Sequence, residues 1–388
     1  MKPVINDNIK YLGCFDSDLD LFEGQYPIPD GISYNSYAIL DEKVVIMDTI
    51  DIRKTDEWLN HVNVALKGRI PDYLVISHME PDHSASIFRL VELYPDIQIV
   101  GNAKTFTILS QFFPVDFSKR QVLVKDGDTL NIGTRTLHFL MAPMIHWPEV
   151  MMTYVDQDKL LFSADAFGKF GSYDVDDSWV NEARRYYLNI VGKYGAQVQN
   201  ILKKLPSLNV EVICPLHGPV LSQGLETYLG KYNIWSSYEP EESGVLIAYA
   251  SIYGNTGVVA RQLAELLRFK GESNVVVREL NREDLSSVLS DAFRYDRIIF
   301  ASSTYDGGVF PAMERFLLRL AHKGFRNRHV GIIENGTWAP MAAKKMHEII
   351  DPLKDITYYN TEITIKSSLN DETLAQLKEL AKEITNIE

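Results

Sequence analysis

The short run Tyr73 to Ser77, mostly apolar, stops at His78-Met79-Glu80-Pro81-Asp82-His83, so four side chains able to bind metal fall within six residues. The run reads as a buried strand, and Pro81 opposes helix, which predicts a loop able to wrap around ions. One ion cannot easily use all four groups. Two neighbouring ions, each taking part of the cluster and sharing a bridge from elsewhere, is the economical arrangement. The competing reading is a polar loop whose Asp82 and His83 cap a helix beginning near Ser84.

Three further segments end in the same way, and chelating groups at strand ends can meet if one sheet brings those ends to a common edge. In Thr136 to Pro148, His146 follows the apolar run beside Pro148, whereas His138 lies inside the run and reads as a strand-face histidine. Lys159 to Asp165 is a strand ending in a carboxylate that could bridge two ions, and Val210 to Gly218 carries His217 at its end. Together the segments supply His78, Glu80, Asp82, His83, His146, Asp165 and His217.

A chain of 388 residues with 46% hydrophobic side chains has material for two cores. No apolar stretch approaches the ~20 residues that span a bilayer, and no basic and apolar leader opens the chain, so a soluble, cytoplasmic protein is expected. A net charge of −13 argues against nucleic acid as a partner. Cys14 and Cys214 are the only cysteines, too few for a disulfide framework or for an iron–sulfur or rubredoxin module, which needs about four thiolates per site.

The polar, acidic stretch 236–244 is the expected boundary, giving domains 1–243 and 244–388. Before it, strands are expected near 35–41, 43–50, 73–78, 97–101, 121–125, 134–142, 150–156 and 159–164, with helices at 54–66, 84–93, 103–112 and 179–203. That mixture suits a layered αββα sandwich. After it, strands (245–250, 274–280, 297–302, 329–334, 356–365) alternate with helices (257–270, 311–320, 339–350, 374–384). Such alternation predicts a doubly wound parallel sheet.

Ligands of open α/β sheets bind beyond the carboxyl ends of the strands. Three loops fall there: Ser251-Ile252-Tyr253-Gly254-Asn255-Thr256, then Ser302-Ser303-Thr304-Tyr305-Asp306-Gly307-Gly308, then Asn335-Gly336-Thr337-Trp338-Ala339-Pro340. The first sets hydroxyls and a glycine before a helix, whose free N–H groups can cradle a phosphate. Tyr305 and Trp338 offer faces for stacking. The competing reading is three ordinary turns.

The ligand run resembles that of the metallo-β-lactamase fold, His-x-His-x-Asp-His followed by His, Asp and His, with Glu80 in place of the second histidine. That carboxylate adds a hard oxygen and suits iron. The substitution, joined to three loops similar to the FMN loops of flavodoxins, resembles the flavodiiron proteins over essentially the whole chain. The resemblance implies an N-terminal metallo-β-lactamase-like sandwich and a C-terminal flavodoxin-like sheet. His78, Glu80 and His146 would bind one iron, Asp82, His83 and His217 the other, and Asp165 would bridge them. It implies reduction of dioxygen to water, or nitric oxide to nitrous oxide, by a non-haem diiron centre fed from FMN. It also implies a head-to-tail homodimer, or a dimer of dimers, and an external electron donor such as rubredoxin or a reduced deazaflavin. Arg315, Arg319, Lys323, Arg326 and Arg328 form a basic cluster where an acidic donor could dock, or an ordinary solvated helix face. Phe22, Glu23, Tyr26, Tyr34, Trp147 and Glu149 are candidates for the surroundings of the metal, or core residues. A zinc hydrolase with an attached flavodoxin module, a deazaflavin oxidase and a non-catalytic flavin carrier are the alternatives.

Overall fold

A computed structural model describes residues 5–174 and 179–386, in two compact units, Met1–Asn233 and Ile234–Glu388. In the first, a six-stranded sheet runs in the order Ile9–Tyr11, Tyr37–Leu40, Val44–Met47, Tyr73–Val75, Gln98–Gly101, Gln121–Leu123. From Val44–Met47 onward each strand is parallel to the last. Parallel neighbours need crossovers. Helices Thr55–Leu66, Ile87–Leu93 and Ala103–Phe112 lie in those connections. All four residues of Val44–Met47 are buried, as expected of a strand covered on both faces.

A second sheet has the order Thr129–Asn131, Thr136–Met141, Met151–Val155, Leu160–Phe162, Val212–Cys214. Ile39, Val45, Met47, Val75 and Val100 of the first sheet pack with Leu137, Phe139, Met151, Val155 and Phe162 of the second in one core. Each such side chain contributes roughly 1.5–3 kcal/mol through burial. Register then sets the site. Phe162 pairs with Cys214 in a parallel ladder, so Asp165 and His217, each three residues further on, leave the sheet side by side.

Pro81 does not keep its segment out of a helix. It occupies the first turn of a short helix, Pro81–Ser84, where a missing N–H costs nothing because that N–H would have no helical partner. The expected helix 179–203 is two, Trp179–Ile190 and Gly195–Leu202, separated by a tighter turn at Gly192–Tyr194. The stretch 236–244 is not a free linker: helix Leu225–Ser237 runs into it, and strand Glu242–Ala250 begins inside it.

The second unit is a parallel sheet ordered Val275–Glu279, Glu242–Ala250, Tyr295–Tyr305, Arg328–Asn335, Ile356–Tyr358, with Ile363–Ile365 also beside Arg328–Asn335. The chain winds first to one side of Glu242–Ala250 and then to the other, the doubly wound order with its switch point beside that strand. The expected strand 356–365 is therefore two pieces. The helix Leu285–Arg294 was not anticipated. Asp284 caps it, accepting from the N–H groups of Ser286 and Ser287 at 3.1 Å each. Among the described residues no helix is long and apolar enough to cross a membrane.

Candidate metal centre and cofactor cleft

All seven anticipated ligand residues meet at one edge of the first unit. His78, Glu80, His146 and Asp165 form one cluster and Asp82, His83 and His217 another, each with one donor atom per residue within 4.8 Å of the rest. Glu80 Oε2 is 3.2 Å from His78 Nε2 and 2.9 Å from His146 Nε2. Asp82 Oδ2 is 3.4 Å from His83 Nε2 and 3.2 Å from His217 Nε2. Asp165 faces both. Its Oδ2 lies 3.3 Å from His78 Nε2 and from His146 Nε2, while Oδ1 lies 3.4 Å from His83 Nε2 and 3.7 Å from His217 Nε2.

Both carboxylate oxygens of Asp82 and of Asp165 are buried without a hydrogen-bond partner. Oxygens left so cost on the order of 1–3 kcal/mol each unless a cation takes them. Nε2 of His83 and Nε2 of His217 stand 3.0 Å apart, a separation that two unprotonated nitrogens keep only with a proton or a cation between them. Three carboxylates and four imidazoles offset most of the charge of two divalent ions, and this mixed nitrogen and oxygen set fits iron.

The donor atoms are aimed by residues outside the set. His78 Nδ1 donates to Glu149 Oε1 at 2.8 Å, and His217 Nδ1 donates to the Ser33 carbonyl at 2.7 Å, so each ring turns a bare Nε2 inward. Glu149 Oε1 also accepts from the Met79 N–H at 2.9 Å. Asp48 Oδ1 accepts from Ser77 N at 2.7 Å and His78 N at 3.2 Å, fixing the start of the ligand loop. Ser33 and Asp48 were missed in the sequence. Asp48 carried a usable signal, because it ends the apolar run Val44–Met47 just as Asp165 ends Leu160–Phe162; Ser33 acts through its backbone and carried none.

The field of the site favours cations. Burial opposes a charge on His146, but its contacts with Asp165 and Glu80 outweigh this and raise its pKa to about 9. Burial likewise works against an ionised Asp165, and the neighbouring histidines hold that carboxyl well below its usual range. Rings close the surroundings: Phe22, Tyr34 and Tyr186 lie 5.4, 6.1 and 5.5 Å from the His217 ring, and Trp147 lies 5.3 Å from His78.

In the second unit the three loops line a cavity of about 590 Å³. Ser251, Ile252, Tyr253, Asn255 and Thr256 come from the first loop; Ser303, Thr304, Tyr305, Asp306 and Gly307 from the second; Asn335, Gly336, Thr337, Trp338 and Ala339 from the third. Gly254 lies outside this lining and caps the helix Asn255–Phe269 with φ +91°, a conformation glycine adopts without strain. Gly308 also lies outside, paired with Tyr305 in a tight hairpin. Met341 and Ser367 line the cleft unanticipated.

The cradle is wired together. Ser251 Oγ accepts from Gly254 N at 3.0 Å, Thr256 Oγ1 lies 3.0 Å from Ser303 Oγ, and Asn335 Nδ2 donates to Thr256 Oγ1 at 3.3 Å. Thr304 Oγ1 accepts from Met341 N at 2.9 Å, tying the second loop to the third. A Cβ on Gly336 would lie 2.6 Å from Pro340 Cα, so the third loop closes this tightly only with glycine. Tyr253 and Trp338 are 93% and 91% exposed, large apolar faces that a planar ring could cover. Hydroxyls and helix N–H groups at one end with aromatic faces at the other fit a phosphorylated flavin.

A metallo-β-lactamase-like domain followed by a flavodoxin domain is the class these two sites define. A family model described as ODP family beta lactamase matches residues 32–218, and a flavodoxin domain matches 246–355. The anaerobic nitric oxide reductase flavorubredoxin of Aliivibrio fischeri is 30% identical over 88% of this chain and 71% of its own length. The flavodiiron protein of Giardia intestinalis superposes with a TM-score of 0.91 at 25% identity, covering 98% of this chain and 96% of that one. Rubredoxin oxygen:oxidoreductase of Desulfovibrio gigas has a TM-score of 0.91 at 26% identity, covering 98% and 97%. The chain belongs to the flavodiiron family, and it is an oxidoreductase. A flavodoxin domain implies FMN, and flavodiiron proteins carry a non-haem diiron centre.

Proposed function

We propose that this protein reduces dioxygen to water, nitric oxide to nitrous oxide, or both, with electrons delivered through FMN from an external donor. His78, Glu80 and His146 hold one iron, Asp82, His83 and His217 the other, and Asp165 lies between. The observation that carries the reading is Asp165, whose two buried oxygens face different clusters. Iron bound there would supply electrons and Lewis acidity, and FMN would supply a two-electron store. Glu149 and the Ser33 carbonyl keep their histidines in the tautomer that leaves Nε2 free. Phe22, Tyr34 and Tyr186 keep bulk water from the His217 side. In the cleft, the 251–256 loop would hold the flavin phosphate, and Trp338 and Tyr305 would face its rings.

The printed names of the Aliivibrio and Desulfovibrio relatives support the two substrates and a donor of the rubredoxin kind. The assembly that suits electron transfer between sites carried on separate units is a head-to-tail homodimer, or a dimer of dimers. The basic cluster offered for donor docking is smaller than its sequence suggests. Arg328 is buried and donates to the carbonyls of Tyr238, Arg326 and Asn327 at 2.9, 3.0 and 2.8 Å, and Arg326 donates to the Gly324 carbonyl at 2.9 Å and lies over the Tyr238 ring, whereas Arg315 is exposed. Donor reduction that slows with added salt supports charge-guided docking.

The deciding experiment is metal and flavin content followed by anaerobic assays with dioxygen and nitric oxide separately, using reduced rubredoxin and a reduced deazaflavin as donors. About two irons and one FMN per chain, with activity lost in His146→Ala, are expected. Zinc filling the centre after iron-controlled expression, or activity intact in that variant, would overturn the reading.

A further inference from the structure

A third donor cluster stands apart from the seven residues of the other two, between strand Cys14–Asp16 and helix Thr55–Leu66. Cys14 is 1% exposed, and its Sγ lies 3.6 Å from His61 Nδ1. The Leu12 carbonyl oxygen lies 3.0 Å from the same nitrogen. Glu57, one helical turn before His61, sets Oε1 4.0 Å from His61 Nε2. One donor atom from each of Cys14, Glu57 and His61 lies within 4.8 Å of the others.

We infer that Cys14, His61 and Glu57 form a binding site for a divalent cation of the zinc class. A tetrahedral ion with Zn–S of about 2.3 Å and Zn–N of about 2.0–2.1 Å has an S···N edge of roughly 3.5–3.6 Å. Cys14 Sγ and His61 Nδ1 are already at that separation. An imidazole that binds metal through one nitrogen donates its other N–H to a carboxylate or carbonyl, which is the place Glu57 occupies at Nε2. Glu57, exposed and 4.0 Å from Nε2, needs only a side-chain shift to accept that N–H, and the Leu12 carbonyl adds an oxygen on the Nδ1 side. A thiolate with an imidazole selects zinc or cobalt over magnesium, calcium or manganese.

Loading balances without any redox step. The Cys14 thiol proton goes to solvent and the Nδ1 proton passes to Nε2, so the imidazole stays neutral. The thiolate and the Glu57 carboxylate offset the two charges of the ion. Entry is from the helix side, where Glu57 is exposed and His61 half-buried. A bound ion ties the strand carrying Cys14 to the helix carrying His61.

The test adds cobalt(II) to the iron- and FMN-loaded protein and records the difference spectrum. The seven-residue centre has only nitrogen and oxygen donors, so a thiolate-to-cobalt charge-transfer band reports this cluster alone. The band should appear in the wild type and in Cys214→Ser, vanish in Cys14→Ser, and need about tenfold more cobalt or higher in His61→Asn. A wild type without the band in excess cobalt, or a band that survives Cys14→Ser, overturns the site. Should Cys14→Ser not fold, His61→Asn and Glu57→Gln decide: unchanged cobalt affinity in both overturns it, and weakened affinity in either supports it.

Discussion

Glu149 Oε1 accepts from His78 Nδ1 at 2.8 Å and from the Met79 backbone N–H at 2.9 Å, so one fully buried carboxylate both orients a ligand ring and holds the loop that carries it. Replacing it by alanine frees the ring and strands a buried N–H. Glu149→Ala is expected to weaken iron binding by about 10–100-fold, with Glu149→Gln recovering much of the loss because its amide oxygen still accepts. Iron content after dialysis against a graded chelator series checks this, and equal retention in both variants would remove the orienting role.

Asp165 touches both clusters and His217 only one. Asp165→Asn is therefore expected to lower iron occupancy at both positions, and His217→Ala to lower it at one while the other keeps most of its metal. Elemental analysis with Mössbauer spectra separates the two. Identical loss in the two variants contradicts a bridging Asp165.

Trp338 is 91% exposed, so its removal should leave folding stability within about 0.5 kcal/mol. Lost stacking of about 0.5–1.5 kcal/mol should weaken FMN binding several-fold. Gly336→Ala should weaken it further, since the added Cβ meets the Pro340 backbone. Flavin fluorescence titration of the apoprotein measures both, and unchanged affinity in both places the flavin elsewhere.

Asp16 supplies a pH test away from the seven-residue centre. Burial alone would raise this carboxyl, but the Arg53 Nε–H at 2.8 Å, the Asp18 N–H and the charge of Lys54 outweigh it and hold it below its ordinary value. A folded-state pKa depressed below the unfolded value of about 3.9 contributes stability above that pH, lost as pH falls through the folded value. Asp16→Asn is expected to destabilise at neutral pH and to flatten the acid limb of the stability curve, as read by urea melts between about pH 3 and pH 7. An unchanged slope rejects it.

Arg328 and Arg315 should separate structure from docking. Arg328 is buried among the carbonyls of Tyr238, Arg326, Asn327 and Phe293, and burial lowers its pKa to about 10. Arg328→Ala removes the guanidinium donors from those carbonyls and should cost about 2 kcal/mol or more. Arg315→Ala, on the exposed face of its helix, should leave stability unchanged and slow only donor reduction. Denaturant unfolding beside stopped-flow reduction reads both.

Apolar runs, the residues at their ends and the order of the loops determined a great deal by themselves. Strand ends at Val75, Phe162 and Cys214 are set by local patterning, and His78, Asp165 and His217 follow each by three residues, so the residues that meet in the two clusters could be picked out before any fold was known. The three cleft loops were legible for the same reason, since turn residues after apolar runs are local signals. Only the tertiary structure decided what depends on through-space partners. Pro81 starts a helix because its missing N–H needs no partner there, and Arg328 turns inward because carbonyls remote in sequence converge on it. The aim of His217 comes from the carbonyl of Ser33, 184 residues away. A backbone oxygen has no sequence signature, and the direction of a side chain is set by neighbours that only folding brings near.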